Sequence, residues 1–146
     1  MKEIRTEVDI DSSPEKVWRV LTDFGHYRDW NPFIRDITGK LNEGSRLEIQ
    51  ISTSTKKTRK YRPVLTKIEP NHEMRWLGKA FLPGLFDGEH ILTLQRLENN
   101  QVRLVHREIF RGIGVSLAGS RLDFEIRRKF EEMNSALKKK IEHEKQ

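Results

Sequence analysis

Three side chains able to move or hold a proton fall on two stretches of alternating sequence near the end of the chain. From Val102 to Arg111 the even positions are Val102, Leu104, His106, Glu108 and Phe110, while the odd ones include Arg103, Arg107 and Arg111. Period two is the pattern of a strand with one buried face, so His106 and Glu108 point inward with the apolar residues. On the preceding stretch, Gly88 to Leu97, His90 shares a face with Leu92 and Leu94. A hairpin turning at Glu98-Asn99-Asn100-Gln101 brings His90 to the level of Glu108 and Phe110, provided a one-residue bulge aligns the two faces. Two histidines and a carboxylate on one inner face support three kinds of chemistry. They can form a hydrogen-bonded core network, since buried polar groups need partners. They can orient the polar end of a ligand in an apolar pocket. They can also transfer a proton, with His106 or His90 as base and Glu108 orienting it. Two histidines and one carboxylate also match some metal sites, but the short ordered spacing of ligands is missing and the chain has no cysteine. The expectation is no metal and no cofactor.

Aromatic residues are the next candidates. Trp30, Trp76, Phe86 and Phe110, with Phe130 from the last helix, could line a cavity and stack on a flat or sterol-like ligand, each burying ~150–250 Å². The run Phe81-Leu82-Pro83-Gly84-Leu85-Phe86 is apolar yet built from turn residues, which suits either a lid or an inward-folded connector. Asn31-Pro32 is expected to shape a corner and Asp87-Gly88 a turn. Between Thr53 and Thr66 lie Lys56, Lys57, Arg59, Lys60 and Arg62 with no acid. This run reads as a solvated hairpin whose lysines protect an edge, with transient contact to an anionic surface as the other use. No nucleic-acid motif accompanies it, and no nucleic-acid partner is expected.

These residues need a scaffold. The chain has 146 residues, 28 Lys plus Arg against 22 Asp plus Glu for a net charge of +6, and 35 % hydrophobic residues. That supports one core, read as a single domain over 1–146, built from few but well-placed apolar side chains. No run reaches the ~20 apolar residues of a membrane span, and the charged start Met-Lys-Glu-Ile-Arg does not resemble a secretory signal, so a cytoplasmic location is expected. Lys2 to Ile10 alternates as a first strand, with Ile4, Thr6, Val8 and Ile10 on one face. Ser13-Pro14-Glu15 then starts a helix carrying Val17, Trp18, Leu21 and Phe24, and a second short helical turn follows before Asn31-Pro32. Six extended segments come next: 34–38, 46–53, 57–69, 73–80, 88–97 and 102–111. Pro63, inside one of them, cannot donate a ladder hydrogen bond and is placed at a bulge or edge. Leu122, Ile126, Phe130, Met133, Leu137 and Ile141 form one stripe of a helix over 121–143, with Ser120 as its cap. Such a helix is about 34 Å long at ~1.5 Å per residue, enough to cross the sheet. The fold class is α+β: a helix-grip, with a seven-stranded curved antiparallel sheet wrapped around the C-terminal helix and two short helices after the first strand. If the sheet bends, a hollow remains between it and the helix.

The segments Asp11 to Trp18, Tyr27 to Phe33, Arg75-Trp76-Leu77-Gly78, Pro83 to His90 and His106 to Gly112 occur in the order of START-like helix-grip domains. The chain resembles the polyketide cyclase/dehydrase-like branch of the SRPBCC superfamily over nearly its whole length. The resemblance implies an internal cavity for an apolar or amphipathic small molecule such as a lipid, sterol or polyketide. Because the family is functionally diverse, two alternatives stand beside ligand binding. One is a cofactor-free cyclase or dehydratase using His106 and Glu108; the other is an interaction module like the chaperone ATPase activators, which the first forty residues also resemble. Thr38 to Gly44 has only two separated glycines and departs from the glycine-rich loop of plant pathogenesis-related relatives, so no nucleotide or ribonuclease role is carried over.

Overall fold

The computed structural model describes residues 1–53, 57–79, 87–112 and 120–143. The elements run β1 (Lys2–Ile10), α1 (Pro14–Thr22), a single 3-10 turn (Phe24–His26), α2 (Tyr27–Trp30), β2 (Ile34–Thr38), β3 (Glu48–Ser52), β4 (Thr58–Tyr61), β5 (Val64–Glu69), β6 (Glu73–Lys79), β7 (Asp87–Arg96), β8 (Val102–Arg111) and α3 (Ser120–His143). All strand pairs are antiparallel. The described strands number eight, in a five-stranded sheet ordered β1-β8-β7-β6-β5 and a three-stranded sheet ordered β2-β3-β4, rather than seven in one sheet.

The extra strand has a local cause. The segment expected as one strand over 57–69 breaks at Arg62-Pro63, because proline fixes φ and offers no N–H to the ladder. Its first half, β4, stays paired to β3, while its second half, β5, joins β6 in the other sheet. The sheets remain stitched across the break: Arg46 bridges Val64, the Pro63 carbonyl accepts from the Leu47 N–H at 2.8 Å, and the Leu65 N–H donates to the Ser45 carbonyl at 2.8 Å.

Capping sets the helical corner as expected. Ser13 Oγ accepts from the Lys16 N–H at 3.2 Å, Pro14 opens α1 and Glu15 lies in its first turn. Val17, Trp18 and Leu21 face inward, and the buried Tyr27 donates its hydroxyl to the Leu21 carbonyl. The chain then turns into β2 on Asn31, fully buried, whose Oδ1 accepts from the N–H groups of Phe33 (2.9 Å) and Ile34 (2.8 Å). In α3, Phe130, Met133, Leu137 and Ile141 are buried and Ile126 is half-buried, as the stripe requires; the side chain of Leu122 lies outside the described residues. Ser120 is the first residue inside α3 rather than a residue preceding it. Toward the start of α3 the charged residues make tertiary contacts, Asp123 to Lys2 at 3.1 Å and Arg127 to the Arg5 carbonyl at 2.7 Å. Among the described residues no helix is long and apolar enough to cross a membrane.

Asn31→Ala leaves two buried N–H groups without their acceptor, each costing ~1–3 kcal/mol. Urea unfolding should register a loss of roughly 2 kcal/mol or more. A variant as stable as the parent would mean that this corner does not depend on the side-chain acceptor.

Candidate functional site

The β7–β8 hairpin takes up the expected one-residue offset beside its turn. The Leu97 N–H donates to the Gln101 carbonyl at 2.8 Å and the Gln101 N–H to the Glu98 carbonyl at 3.4 Å, so Leu97 and Glu98 together oppose Gln101. Asn99 and Asn100, at φ 62° and 60°, supply the left-handed residues that this tight turn needs, a conformation asparagine tolerates better than most. From Arg96↔Val102 to Asp87↔Arg111 the register is then unbroken.

That register lays the inner face out in rows. Trp76, His90, Glu108 and Ile4 lie side by side on β6, β7, β8 and β1. The row deeper in the sheet reads Met74, Leu92, His106 and Thr6; the row toward the sheet's end reads Gly78, Gly88, Phe110 and Lys2. The expected grouping of His90, His106 and Glu108 is therefore formed, with Trp76, Phe110 and Phe130 around it. Phe130 of α3 stacks on His106 at 4.1 Å between ring centres and meets His90 edge-on at 5.2 Å, while Trp76 stacks on His90 at 4.6 Å.

The hydrogen bonds around the two histidines run in one direction. Thr6 Oγ1 donates to the His106 carbonyl (3.0 Å) and accepts from Asn134 Nδ2 (2.9 Å). Asn134 Oδ1 is thus the acceptor for His106 Nδ1–H at 2.8 Å. A neutral His106 with its proton on Nδ1 has a lone pair on Nε2, which accepts from His90 Nε2–H at 2.8 Å. His90 then turns a bare Nδ1 toward Glu108 Oε1, 4.0 Å away. Burial favours the neutral form of each member. His106 is lowered to about 4, chiefly by desolvation and against the Asn134 hydrogen bond, and His90 lies well below its ordinary value through desolvation and its neighbour His106. Desolvation raises Glu108 to about 7. Its protonated form can donate to His90 Nδ1, extending the chain without reversing any bond.

Glu108 is the outermost member. Its side chain is 19 % exposed, whereas His106 is sealed and His90 is 1 % exposed. Any molecule arriving here meets Glu108 first, and the two histidines stand behind it. Next to it, the indole N–H of the fully buried Trp76 makes no well-aligned hydrogen bond among the described residues. Tyr61 of β4 closes the group: its phenol is held neutral by burial and by the nearby Glu108 carboxylate, against a weaker hydrogen-bonding interaction with the Trp76 indole. Two glycines make room for this cluster. A methyl at Gly88 would come 3.1 Å from Glu108 Oε1, and one at Gly78 would come 3.4 Å from the Tyr61 ring.

Other candidates are placed differently. Trp30 packs on Tyr27 at the helical corner, 5.2 Å between ring centres, and no described ring contact joins it to His90, His106 or Phe130. Phe86 and the run 81–86 lie outside the described residues, as does Lys56; Lys57, Arg59 and Lys60 are exposed along β4 and the residue before it. The middle of the sheet–helix space, where a hollow was expected, is occupied by Phe130, Met133 and the histidine pair. Two open recesses lie instead beside α3's outer face, one of about 580 Å³ that includes Phe124, Arg128 and Lys139, the other of about 250 Å³ that includes Arg5, Glu7 and Arg127. Among the described residues no group of three His, Cys, Asp or Glu side chains is placed to hold a metal ion.

Thr6, Tyr61 and Asn134 were not expected in the site. Asn134 had a visible signal, since it falls four residues after Phe130 and three before Leu137, a polar residue on the buried stripe. Tyr61 was masked by the cations around it.

The model of a family described as polyketide cyclase/dehydrase and lipid transport matches residues 1–142. Among solved structures, a START superfamily protein from Mycobacterium smegmatis superposes with a TM-score of 0.76 at 15 % identity, covering 97 % of each chain. Protein MLL2253 from Mesorhizobium loti gives 0.74 at 18 % identity, covering 97 % of this chain and 98 % of that one. The di-domain ARO/CYC BexL from the BE-7585A biosynthetic pathway gives 0.71 at 11 % identity, covering 94 % of this chain and 48 % of that one. At these identities the likeness is one of fold. No curated protein matches the chain.

The pKa directions carry opposite signs in stability. Glu108 holds its proton more tightly in the folded chain, so it contributes stability at low pH that is lost between about 4.5 and 7. His106 contributes stability that is present above 6.5 and lost as pH falls toward 4. Relative to Glu108→Gln, the parent protein should therefore lose on the order of 3 kcal/mol as pH rises from 4.5 to 7.5, read by urea unfolding at each pH. A difference that does not change with pH would contradict a raised Glu108.

Proposed function

The chain belongs to the polyketide cyclase/dehydrase and lipid transport family, and on that premise we propose that it acts as a single domain binding a small hydrophobic or amphipathic molecule between its sheet and α3. The polar end of the ligand lodges beside Trp76, Glu108 and Tyr61. One observation carries the reading: a buried indole N–H with no well-aligned hydrogen bond among the described residues stands next to a partly exposed carboxyl. A buried donor left unmade costs ~1–3 kcal/mol, and an acceptor brought by a ligand recovers that cost. Supporting it, the adjacent Gly78 and Gly88 remove two side chains from the inner face at the end of the sheet where Glu108 is exposed. Aromatic walls with few convergent polar groups are what small-molecule sites use.

A second reading is a cofactor-free cyclase- or dehydratase-type reaction. The feature that favours it is Glu108 itself, whose carboxyl is poised near neutral pH by burial and backed by His90. In that case Glu108 exchanges the proton with the substrate, and His90 and His106 hold the carboxyl in its orientation. This inverts the roles expected from sequence, where a histidine was the base.

Tryptophan fluorescence and thermal unfolding with a panel of lipids, sterols, flavonoids and polyketide-like aromatics should reveal saturable binding by at least one class. Trp76→Phe should weaken that binding about five-fold or more, by removal of one hydrogen bond. If no member of the panel binds, the proposal fails. Loss of turnover in Glu108→Gln with binding retained would move the assignment to the enzyme.

A further inference from the structure

The polar groups at the exposed end of the sheet also restrict what kind of molecule fits, an inference that rests on the ligand-binding reading above. Trp76 Nε1 can only donate. The Tyr61 phenol and the protonated Glu108 can donate or accept, and the Glu108 carboxylate only accepts. Among the described residues Glu108 makes no ion pair with Lys or Arg, and Lys2, at the edge of the adjacent row, is paired with Asp123 at 3.1 Å. Both histidines are buried, and three of their four ring nitrogens already share hydrogen bonds within the chain. Among the described residues no positive charge is therefore offered to an anion, while a carboxyl faces it.

We infer that the bound molecule presents an uncharged hydroxyl, as an alcohol, phenol or enol, between the Trp76 indole N–H and the Glu108 carboxyl, and that anionic molecules of the same shape are rejected. A hydroxyl has one proton to give and two lone pairs to receive, so it can accept from the poorly satisfied indole and donate to Glu108 together. A carboxylate satisfies the indole as well, but it brings a full negative charge against the Glu108 carboxyl, which is partly ionised near pH 7, where no cation among the described residues offsets it. An ether of the same skeleton accepts from Trp76 and has nothing to give Glu108. The order expected is hydroxyl, then ether, then carboxylate. The ring stack of Trp76 on His90 and the close approach of Gly88 to Glu108 hold donor and acceptor in place.

The test uses matched probes at pH 7.5: 2-naphthol, 2-methoxynaphthalene and 2-naphthoate, with 1-decanol and decanoate as a second skeleton. Binding is followed by ¹⁵N-resolved NMR of the tryptophan indole N–H signals, with Trp76 assigned by Trp76→Phe. The hydroxyl probe of at least one skeleton should bind about ten-fold or more tightly than its carboxylate and shift the Trp76 signal. In Glu108→Gln the same gap should narrow to about three-fold or less because the carboxylate now binds better. Equal or tighter carboxylate binding by the parent protein would overturn the hydroxyl preference while leaving the ligand-binding reading intact. Failure of every probe to bind would overturn both. A gap that survives in Glu108→Gln would show that Glu108 is not the source of the discrimination.

Discussion

Two imidazoles facing each other through their Nε2 atoms at 2.8 Å, deep in a protein, accept only a narrow set of states. Both cannot donate, both cannot be bare, and neither is easily charged where water is excluded. One nitrogen must give and the other receive. Asn134 settles which, because its amide nitrogen donates to Thr6 and its oxygen is the atom turned toward His106. The consequence travels outward: His90 has no proton left for its Nδ1, and Glu108 faces a bare nitrogen with no cation in contact among the described residues. The nitrogen that Glu108 faces at the edge of the site is therefore set by a threonine on the first strand and an asparagine on the last helix, while burial raises the carboxyl itself.

Such a chain demands that α3 sit in one register against β1. Besides the Lys2–Asp123 pair, three polar contacts from α3 to β1 and the residue after it fix this register outside the core. Arg127 donates to the Arg5 carbonyl, Lys138 to the Asp9 carbonyl at 2.6 Å, and the Asp11 N–H to Glu142 at 2.9 Å. They also cover part of the outer edge of β1, an edge of the five-stranded sheet that would otherwise expose unpaired backbone groups. Within the core, Phe130 is wedged against both histidine rings, and Asn134 one turn later reaches His106 and Thr6. Sliding the helix by one residue would break the polar chain and the ring stack together, so packing and hydrogen bonding specify the same alignment.

Much of this was legible in the residues. Alternation placed His90, His106 and Glu108 on inner faces, and the paired asparagines located the turn that sets their levels. The stripe from Phe130 to Ile141 marked α3. Local rules failed where a residue acts through tertiary partners. Pro63 was recognised as a ladder breaker, but alternation cannot tell a bulge from a strand that changes sheets, since both look extended on either side. Tyr61 sits in a run of cations and reads as surface, although burial beside Glu108 depends on how β4 folds over Gly78. Asn134 and Thr6 are ordinary residues for their elements until the two faces meet. Trp30, chosen for its type, is held at the corner by Tyr27, because aromatic character marks burial without saying against what.

The site then combines a closed back and an open front. The back is a hydrogen-bonded chain of Thr6, Asn134, His106 and His90; the front is Glu108, Tyr61 and an indole with no well-aligned acceptor among the described residues. The account stands on the direction of that chain, and histidine ¹⁵N NMR over pH 5 to 8 reads it directly. It predicts that both imidazoles stay neutral down to pH 5.5 with opposite tautomers, the proton on Nδ1 of His106 and on Nε2 of His90. A shared tautomer, or a histidine of the pair that gains its second proton near pH 6.5, would contradict it.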